Sequence, residues 1–376
     1  MPLTTVEISK SALKHNIEQL KAILPPDFTL IAVIKANAYG HEMTGVAEAI
    51  KDGVSYMAVS TVEDGLALRE SGIDRKLLIM GNVDYRDKSL LLEAVEKELE
   101  LSVFNLEMLN ALQVAAAETN RTARIHIKVD TGMRRFGVLE SEALEFIEAA
   151  RNTPAITIQG LFSHLGMADE ESGYTEVQES RFRSLLNQLS ERGISIPLHH
   201  LYNSPGSMRE NLLGNACRIG ISLYGLYPSN YCRAQMEARI PEFSLRPVLS
   251  WKTRIVQVNR VPEGSPVSYG GIYRTKREET LAILPTGHFD GYDRGLSNKA
   301  DVLVRGKRCP VAGRVCMNQT VLNVSGVPGA CVGDEVVLLG KGGEEEITAE
   351  ELADKIDTVV YEIVTRINPS LPRVFL

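Results

Sequence analysis

Between residues 28 and 223, short runs rich in β-branched and aliphatic residues alternate with longer segments of helical period. That alternation restricts the fold more than any single motif, because it is the signature of βα units wrapped around a parallel sheet. The predicted strands are residues 28–34, 55–59, 76–80, 101–104, 125–129, 157–162, 199–202 and 218–223. Between them lie segments such as 105–118, in which Leu106, Leu109 and Leu112 recur at a spacing of three, as on one helix face. Eight strands within roughly 200 residues suit a (β/α)8 TIM-type barrel. The rival α/β architecture is a doubly wound open sheet, but no Gly-x-Gly-x-x-Gly follows the first strand.

Beyond Pro228 the grammar changes. Strands are expected at 250–258, 279–284, 301–304 and 335–339 without helices between them. Pro262-Glu263-Gly264, Gly270-Gly271 and Gly326-Val327-Pro328-Gly329 supply the turns that antiparallel strands require. Only 348–355, opened by a Thr-x-x-Glu capping pattern, reads as helix there. A chain of 376 residues is long enough for two cores. The expected division is 1–236 as the barrel and 237–376 as a mostly β domain, with a strand at 3–8 that either unit could receive.

Composition narrows the partners. No apolar stretch approaches the roughly 20 residues of a membrane span. The N-terminus lacks the basic and apolar segments of a signal peptide, so the cytoplasm is the expected compartment. Five cysteines without CxxC spacing fit reduced thiols and suggest no metal site. A net charge of -7 with no dense Lys/Arg block points away from nucleic acid and toward a small molecule.

Barrel enzymes act at the C-terminal ends of their strands. Lys35 ends the first strand, held by the apolar run Ile31-Ala32-Val33-Ile34, where burial would lower its pKa and free its amine for Schiff-base chemistry with an aldehyde. Lys128 and Arg135 close the fifth strand, His164 follows the sixth, Asn203-Ser204 the seventh, and Arg218 lies on the eighth. Ser204 and the amides of Gly220 and Ile221 fall where barrels build phosphate sites. An aldehyde-reactive lysine beside a phosphate site implies pyridoxal 5'-phosphate.

The runs Ala32-Val33-Ile34-Lys35-Ala36-Asn37-Ala38-Tyr39-Gly40-His41, Lys128-Val129-Asp130-Thr131-Gly132-Met133, Val267-Ser268-Tyr269-Gly270 and Gly313-Arg314-Val315-Cys316-Met317 resemble those of the alanine racemase family. The resemblance implies a pyridoxal-phosphate barrel plus a β domain, assembled as a homodimer whose active sites use both subunits. It implies interconversion of L- and D-alanine, the D form serving peptidoglycan. Lys35 would hold the cofactor and act as base on one face of the substrate's α-carbon. Tyr269 of the other subunit would serve the opposite face, supported by His164 linked to Arg218. Arg218 would face the ring nitrogen of the cofactor. Tyr39, Ser204, Gly220, Ile221 and Tyr361 would hold its phosphate. Arg135 would lie beside the phenolic oxygen, Met317 would meet the substrate carboxylate, and Lys128 would be open to carbamylation.

Three places depart from the family pattern. His288 stands where a tyrosine lines the entry passage, Asn318 stands where an aspartate is usual, and the residues around His164 vary. These departures keep a serine or broad-specificity racemase as the alternative, whereas Tyr361 resembles the alanine enzymes. An amino-acid decarboxylase of the same architecture is a further reading, although it lacks this Tyr269 context. A non-catalytic pyridoxal-phosphate carrier is another, and the long β segment counts against it.

Overall fold

A computed structural model describes residues 2–376. Eight parallel strands line up in the spatial order Ala216–Ile219, Thr29–Val33, Tyr56–Val59, Lys76–Ile79, Glu100–Val103, Ala123–Asp130, Ile156–Phe162 and Leu198–His200. Several are buried along most of their length, which is why they read as continuous apolar runs. The ring closes where the Asn215 amide donates to the His199 carbonyl (3.1 Å) and the Arg218 amide to the Tyr202 carbonyl (2.9 Å). Side chains on helices such as Lys10–Ile23 and Leu106–Thr119 pack against this ring.

The mostly β unit is built from separate, largely antiparallel sheets. Its largest sheet runs Lys307–Pro310, Asp301–Val304, Glu335–Gly342, Leu249–Arg254, Thr5–Ile8 and Arg373–Phe375. The N-terminal strand thus joins the β unit, antiparallel to Leu249–Arg254 and parallel to the chain's last strand. A second sheet holds Gln257–Val261, Glu279–Leu284 and Thr320–Asn323.

Three sequence expectations need correction. The run 218–223 is not one strand: Ala216–Ile219 ends at Gly220, and Ile221–Tyr224 is a 3-10 turn. The run 250–258 is two strands, because the Ile255 amide donates to Asp334 O (3.0 Å) while the Val256 amide donates to Ile283 O (2.9 Å), so the chain changes sheets there. The β unit also carries a second helix, Val360–Thr365, beside the expected one at Ala349–Ile356. No helix among the described residues is long and apolar enough to cross a membrane.

Candidate active site

Lys35 follows the first barrel strand and opens an unusual turn. Ala36, Asn37, Ala38 and Tyr39 all have φ of 52–53°, so four successive non-glycine residues lie in the left-handed region. Such residues cost roughly 1–2 kcal/mol each, so neighbouring contacts must hold them. Asn37 Oδ1 accepts from the Met43 amide (2.9 Å), and its carbonyl accepts from the Glu42 amide (3.1 Å). Arg373 donates to the Gly40 carbonyl through Nε (3.1 Å) and Nη2 (2.9 Å). The sequence suggested only a loop of small residues here.

The turn aims Lys35 into a cavity of about 310 Å³ that also takes in Tyr39, His164, Ser204, Arg218, Gly220, Ile221 and Tyr361. Its lining includes no aspartate or glutamate. Burial, then the charges of Arg135 and Arg218, hold the Lys35 amine below the ordinary lysine value. Burial likewise pushes the Arg218 guanidinium down to about 10. Arg218 is 3% exposed, yet no carboxylate touches it. It donates to the carbonyls of His200 (2.6 Å), Ser163 (2.7 Å) and Leu201 (3.2 Å) and to the Nδ1 atoms of His200 (2.9 Å) and His164 (3.2 Å). Burial first and the Arg218 charge second hold His164 far below its ordinary value, so its imidazole is neutral.

At the other end of the cavity the Gly220 amide donates to Ser204 Oγ (2.9 Å). A Cβ on Gly220 would lie 2.2 Å from the Tyr39 hydroxyl, so only glycine leaves this corner open. Burial keeps the phenols of Tyr39 and Tyr361 protonated as donors. A cationic cavity without acidic lining, with one pocketed amine and a corner of amide and hydroxyl groups, fits a phosphate-bearing aldehyde. Lys35 would take the aldehyde, and Tyr39, Ser204, Gly220, Ile221 and Tyr361 the phosphate.

Other expected residues lie apart from this cavity. Lys128 and Arg135 border a small adjoining space that His164 shares. Tyr269 and Met317 line neither, being 72% and 60% exposed on the β unit. Their two motifs meet, since Ser268 Oγ donates to the Arg314 carbonyl (2.7 Å). The amides of His288 and Phe289 donate to the carbonyls of Cys316 and Met317 (2.9 Å each), which brings His288 onto the same exposed face. The sequence reading missed Met80 and Thr365 in the cavity wall and the buried residues behind Arg218, namely Tyr56, Glu100, His126 and His200. For the latter the available signal was polar residues inside otherwise apolar strands.

Comparison with known proteins follows the same division of the chain. Residues 8–228 match the family model described as alanine racemase, N-terminal domain, and residues 248–375 match alanine racemase, C-terminal domain. The chain is 40% identical to an alanine racemase of Halothermothrix orenii, covering 98% of this chain and 96% of that one. It is 39% identical to alanine racemase 2 of Caldanaerobacter subterraneus subsp. tengcongensis over 99% of this chain and 95% of that protein. Solved structures with the same fold include alanine racemase from D-cycloserine producing Streptomyces lavendulae, with TM-score 0.91, 33% identity and coverage of 100% and 98%. Another is the Bacillus anthracis enzyme with bound L-Ala-P, with TM-score 0.90, 34% identity and coverage of 100% and 95%.

Proposed function

The chain belongs to the alanine racemase family, and from that premise we propose that its active site is completed between two copies, with Lys35 of one and Tyr269 of the other as the opposed bases. The enzyme is an isomerase that uses pyridoxal 5'-phosphate and interconverts L- and D-alanine. Our reading assigns residues 1–236 to the barrel that holds the cofactor and 237–376 to a unit that supplies Tyr269 and Met317 to the other copy's site while Tyr361 lines the cavity of its own chain. It also makes the enzyme a cytoplasmic source of D-alanine for peptidoglycan.

The observation that carries the two-copy reading is the separation of the groups. Lys35 and Arg218 share an acid-free cavity, whereas Tyr269 and Met317 are exposed away from it in the same chain. An exposed tyrosine, methionine and Phe289 on one face suit burial against a second copy. Racemisation needs a proton removed from one face of the α-carbon and another delivered to the opposite face, which one base would have to cross the substrate to do.

Bound in the cavity, pyridoxal phosphate supplies an electron sink that acidifies the substrate's α-hydrogen. Lys35, with its amine pushed toward the neutral form, is suited to accept a proton at Nζ. Arg218 can only donate, so it would offer the ring nitrogen a hydrogen bond without giving up a proton, which would keep the sink weak and favour racemisation over amine transfer. Arg135 is read as the partner of the phenolic oxygen and of the substrate, and Met317 as a backbone donor to the substrate carboxylate. Lys128 is pushed down to about 8 by burial and then by Arg218, Arg135 and Lys35. An uncharged amine is the form that captures carbon dioxide, and the carbamate would turn a repelling cation into an anionic partner for Arg135.

The test mixes two inactive variants, Lys35→Ala and Tyr269→Phe, after dissociation and reassembly with cofactor. Loss of optical rotation and α-proton exchange of L-alanine are followed in deuterated water. Each heterodimer regains one intact site, so a statistical mixture should recover roughly a quarter of wild-type activity. Recovery of none would refute the shared site.

A further inference from the structure

Behind Arg218 a line of side chains crosses the barrel interior, and the cofactor reading above leaves it unused. Tyr56 comes from the second barrel strand, Glu100 from the fourth, His126 from the fifth, His200 from the seventh and Arg218 from the eighth. All five are buried, and both histidines are fully so. Arg218 Nη1 donates to His200 Nδ1 (2.9 Å), His200 Nε2 meets His126 Nδ1 (2.8 Å), and His126 Nε2 meets Glu100 Oε2 (2.7 Å). The Tyr56 hydroxyl donates to the same carboxylate oxygen.

The direction of every proton follows from one end. A guanidinium has no acceptor, so His200 Nδ1 must accept, and the ring carries its proton on Nε2. That proton can go only to His126 Nδ1, which leaves the His126 proton on Nε2 facing the carboxylate. The line is therefore oriented throughout from cation to anion. Burial and then the Arg218 charge hold His200 far below its ordinary value, in keeping with a neutral ring.

We propose that Glu100 is the counter-charge of Arg218, coupled to it through the oriented imidazoles of His126 and His200, and that these three act as positioning residues for the cationic wall of the cofactor cavity. The proposal rests on the assignment of Arg218 to the cofactor. Glu100 is the carboxylate that the line reaches, while Asp130 shares the adjoining space with Lys128 and acts on that amine. Lys35, Lys128, Arg135 and neutral His164 face Arg218 from other elements, Cys217 adjoins it in the strand, and Lys76 Nζ lies 5.7 Å from the centre of the Tyr56 ring. A buried guanidinium that donates only to neutral groups would otherwise be an uncompensated charge. The two imidazoles also fix which Arg218 edge is engaged inward, leaving Nη2 for His164.

The wild-type full chain, labelled with ¹⁵N in histidine and free of cofactor, gives the first test. Ring nitrogen shifts in neutral buffer should report His126 and His200 as protonated at Nε2 and bare at Nδ1, as the hydrogen-bond line requires. An Nδ1-protonated ring or an imidazolium at either position overturns the proposal. Glu100→Gln in the holoenzyme gives the second test, since it keeps the side chain's size and an acceptor oxygen while removing the charge. Removing this anion leaves the cavity wall more positive, so the kcat/KM profile should move to lower pH by roughly a few tenths of a unit. A folded Glu100→Gln enzyme with the wild-type profile, or one shifted to higher pH, overturns it. If that variant does not fold, the wild-type spectra still decide. Absence of alanine racemisation by the wild-type chain would instead refute the assigned chemistry and leave the tautomer result standing.

Discussion

Replacing Gly220 with alanine tests the phosphate corner through a single added methyl. Gly220 joins the strand Ala216–Ile219 to the 3-10 turn Ile221–Tyr224, and the crowding a Cβ would meet there comes from one side chain, Tyr39. The new Cβ would lie 2.2 Å from the Tyr39 hydroxyl and 2.8 Å from Cζ, so the phenol must retreat by about 1 Å to reach ordinary contact. Tyr39 has little room to do so. Its ring packs against Tyr224 with centroids 5.1 Å apart and against Tyr361 at 6.2 Å, and its backbone sits in the left-handed turn behind Lys35. Overpacking of this kind costs about 1–3 kcal/mol. Two proposed phosphate ligands, the Gly220 amide and the Tyr39 hydroxyl, absorb the displacement. Cofactor affinity should therefore fall by roughly 5- to 150-fold. Apoprotein titrated with pyridoxal phosphate and followed by visible absorbance gives the dissociation constant. Tyr39→Phe removes the atom in closest conflict, so Gly220→Ala combined with Tyr39→Phe should bind better than the sum of the single losses, with a coupling of about 1 kcal/mol. A Gly220→Ala affinity within twofold of wild type, or strict additivity, would refute the argument.

Three further outcomes follow from the same geometry. Lys128 has its pKa lowered in the fold from 10.5 to about 8, so its charged form opposes folding fully below pH 8, and that penalty fades as pH rises toward 10.5. In carbon dioxide-free buffer Lys128→Met should stabilise the apoprotein near pH 7 by about 3 kcal/mol and flatten the rise in Tm above pH 8; a lower Tm at pH 7 would contradict this. Arg218→Glu should increase pyruvate formation from alanine in the holoenzyme, because a donor-only group no longer limits the electron sink; an unchanged pyruvate rate falsifies that account. With Tyr361 in the cavity wall, turnover of L-alanine should exceed that of L-serine, and a clear serine preference would assign the specificity to the two exposed segments that hold His288 and Asn318.

Much of the barrel was legible because a strand buried on both faces leaves an uninterrupted apolar run, as Thr29–Val33 does. The same rule misled at 218–223, since a buried 3-10 turn over Ile221–Tyr224 is as apolar as a strand and only the backbone at Gly220 separates them. Val360–Thr365 was hidden by its β-branched residues, whose strand preference gives way to packing of Val360 and Val364 in the core. Lys35, His164, Ser204 and Arg218 were legible as candidates because each lies on or just after a barrel strand, whereas Tyr361 and Thr365 reach the cavity from the C-terminal helix. The relay behind Arg218 was not, because Glu100, His126 and His200 lie in different strands and only barrel closure brings them into line.

The turn after Lys35 shows what local sequence could not reveal and why it matters. Ala36, Asn37 and Ala38 have no intrinsic reason to adopt positive φ together, so the conformation is imposed from outside. Much of that imposition comes from the other end of the chain. Arg373 clasps the Gly40 carbonyl through two nitrogens, and a Cβ on Gly40 would lie 2.3 Å from the Val364 carbonyl, so the C-terminal helix and strand seat directly on the turn. Helix Val360–Thr365 also carries Tyr361 into the cavity wall. The C-terminal segment therefore shapes its own chain's Lys35 site, while the exposed Tyr269 face is the part we assign to the other copy. An isolated barrel would keep Lys35 but lose the contacts that hold its turn, which ties the covalent end of the chemistry to the β unit within each chain before any dimer forms.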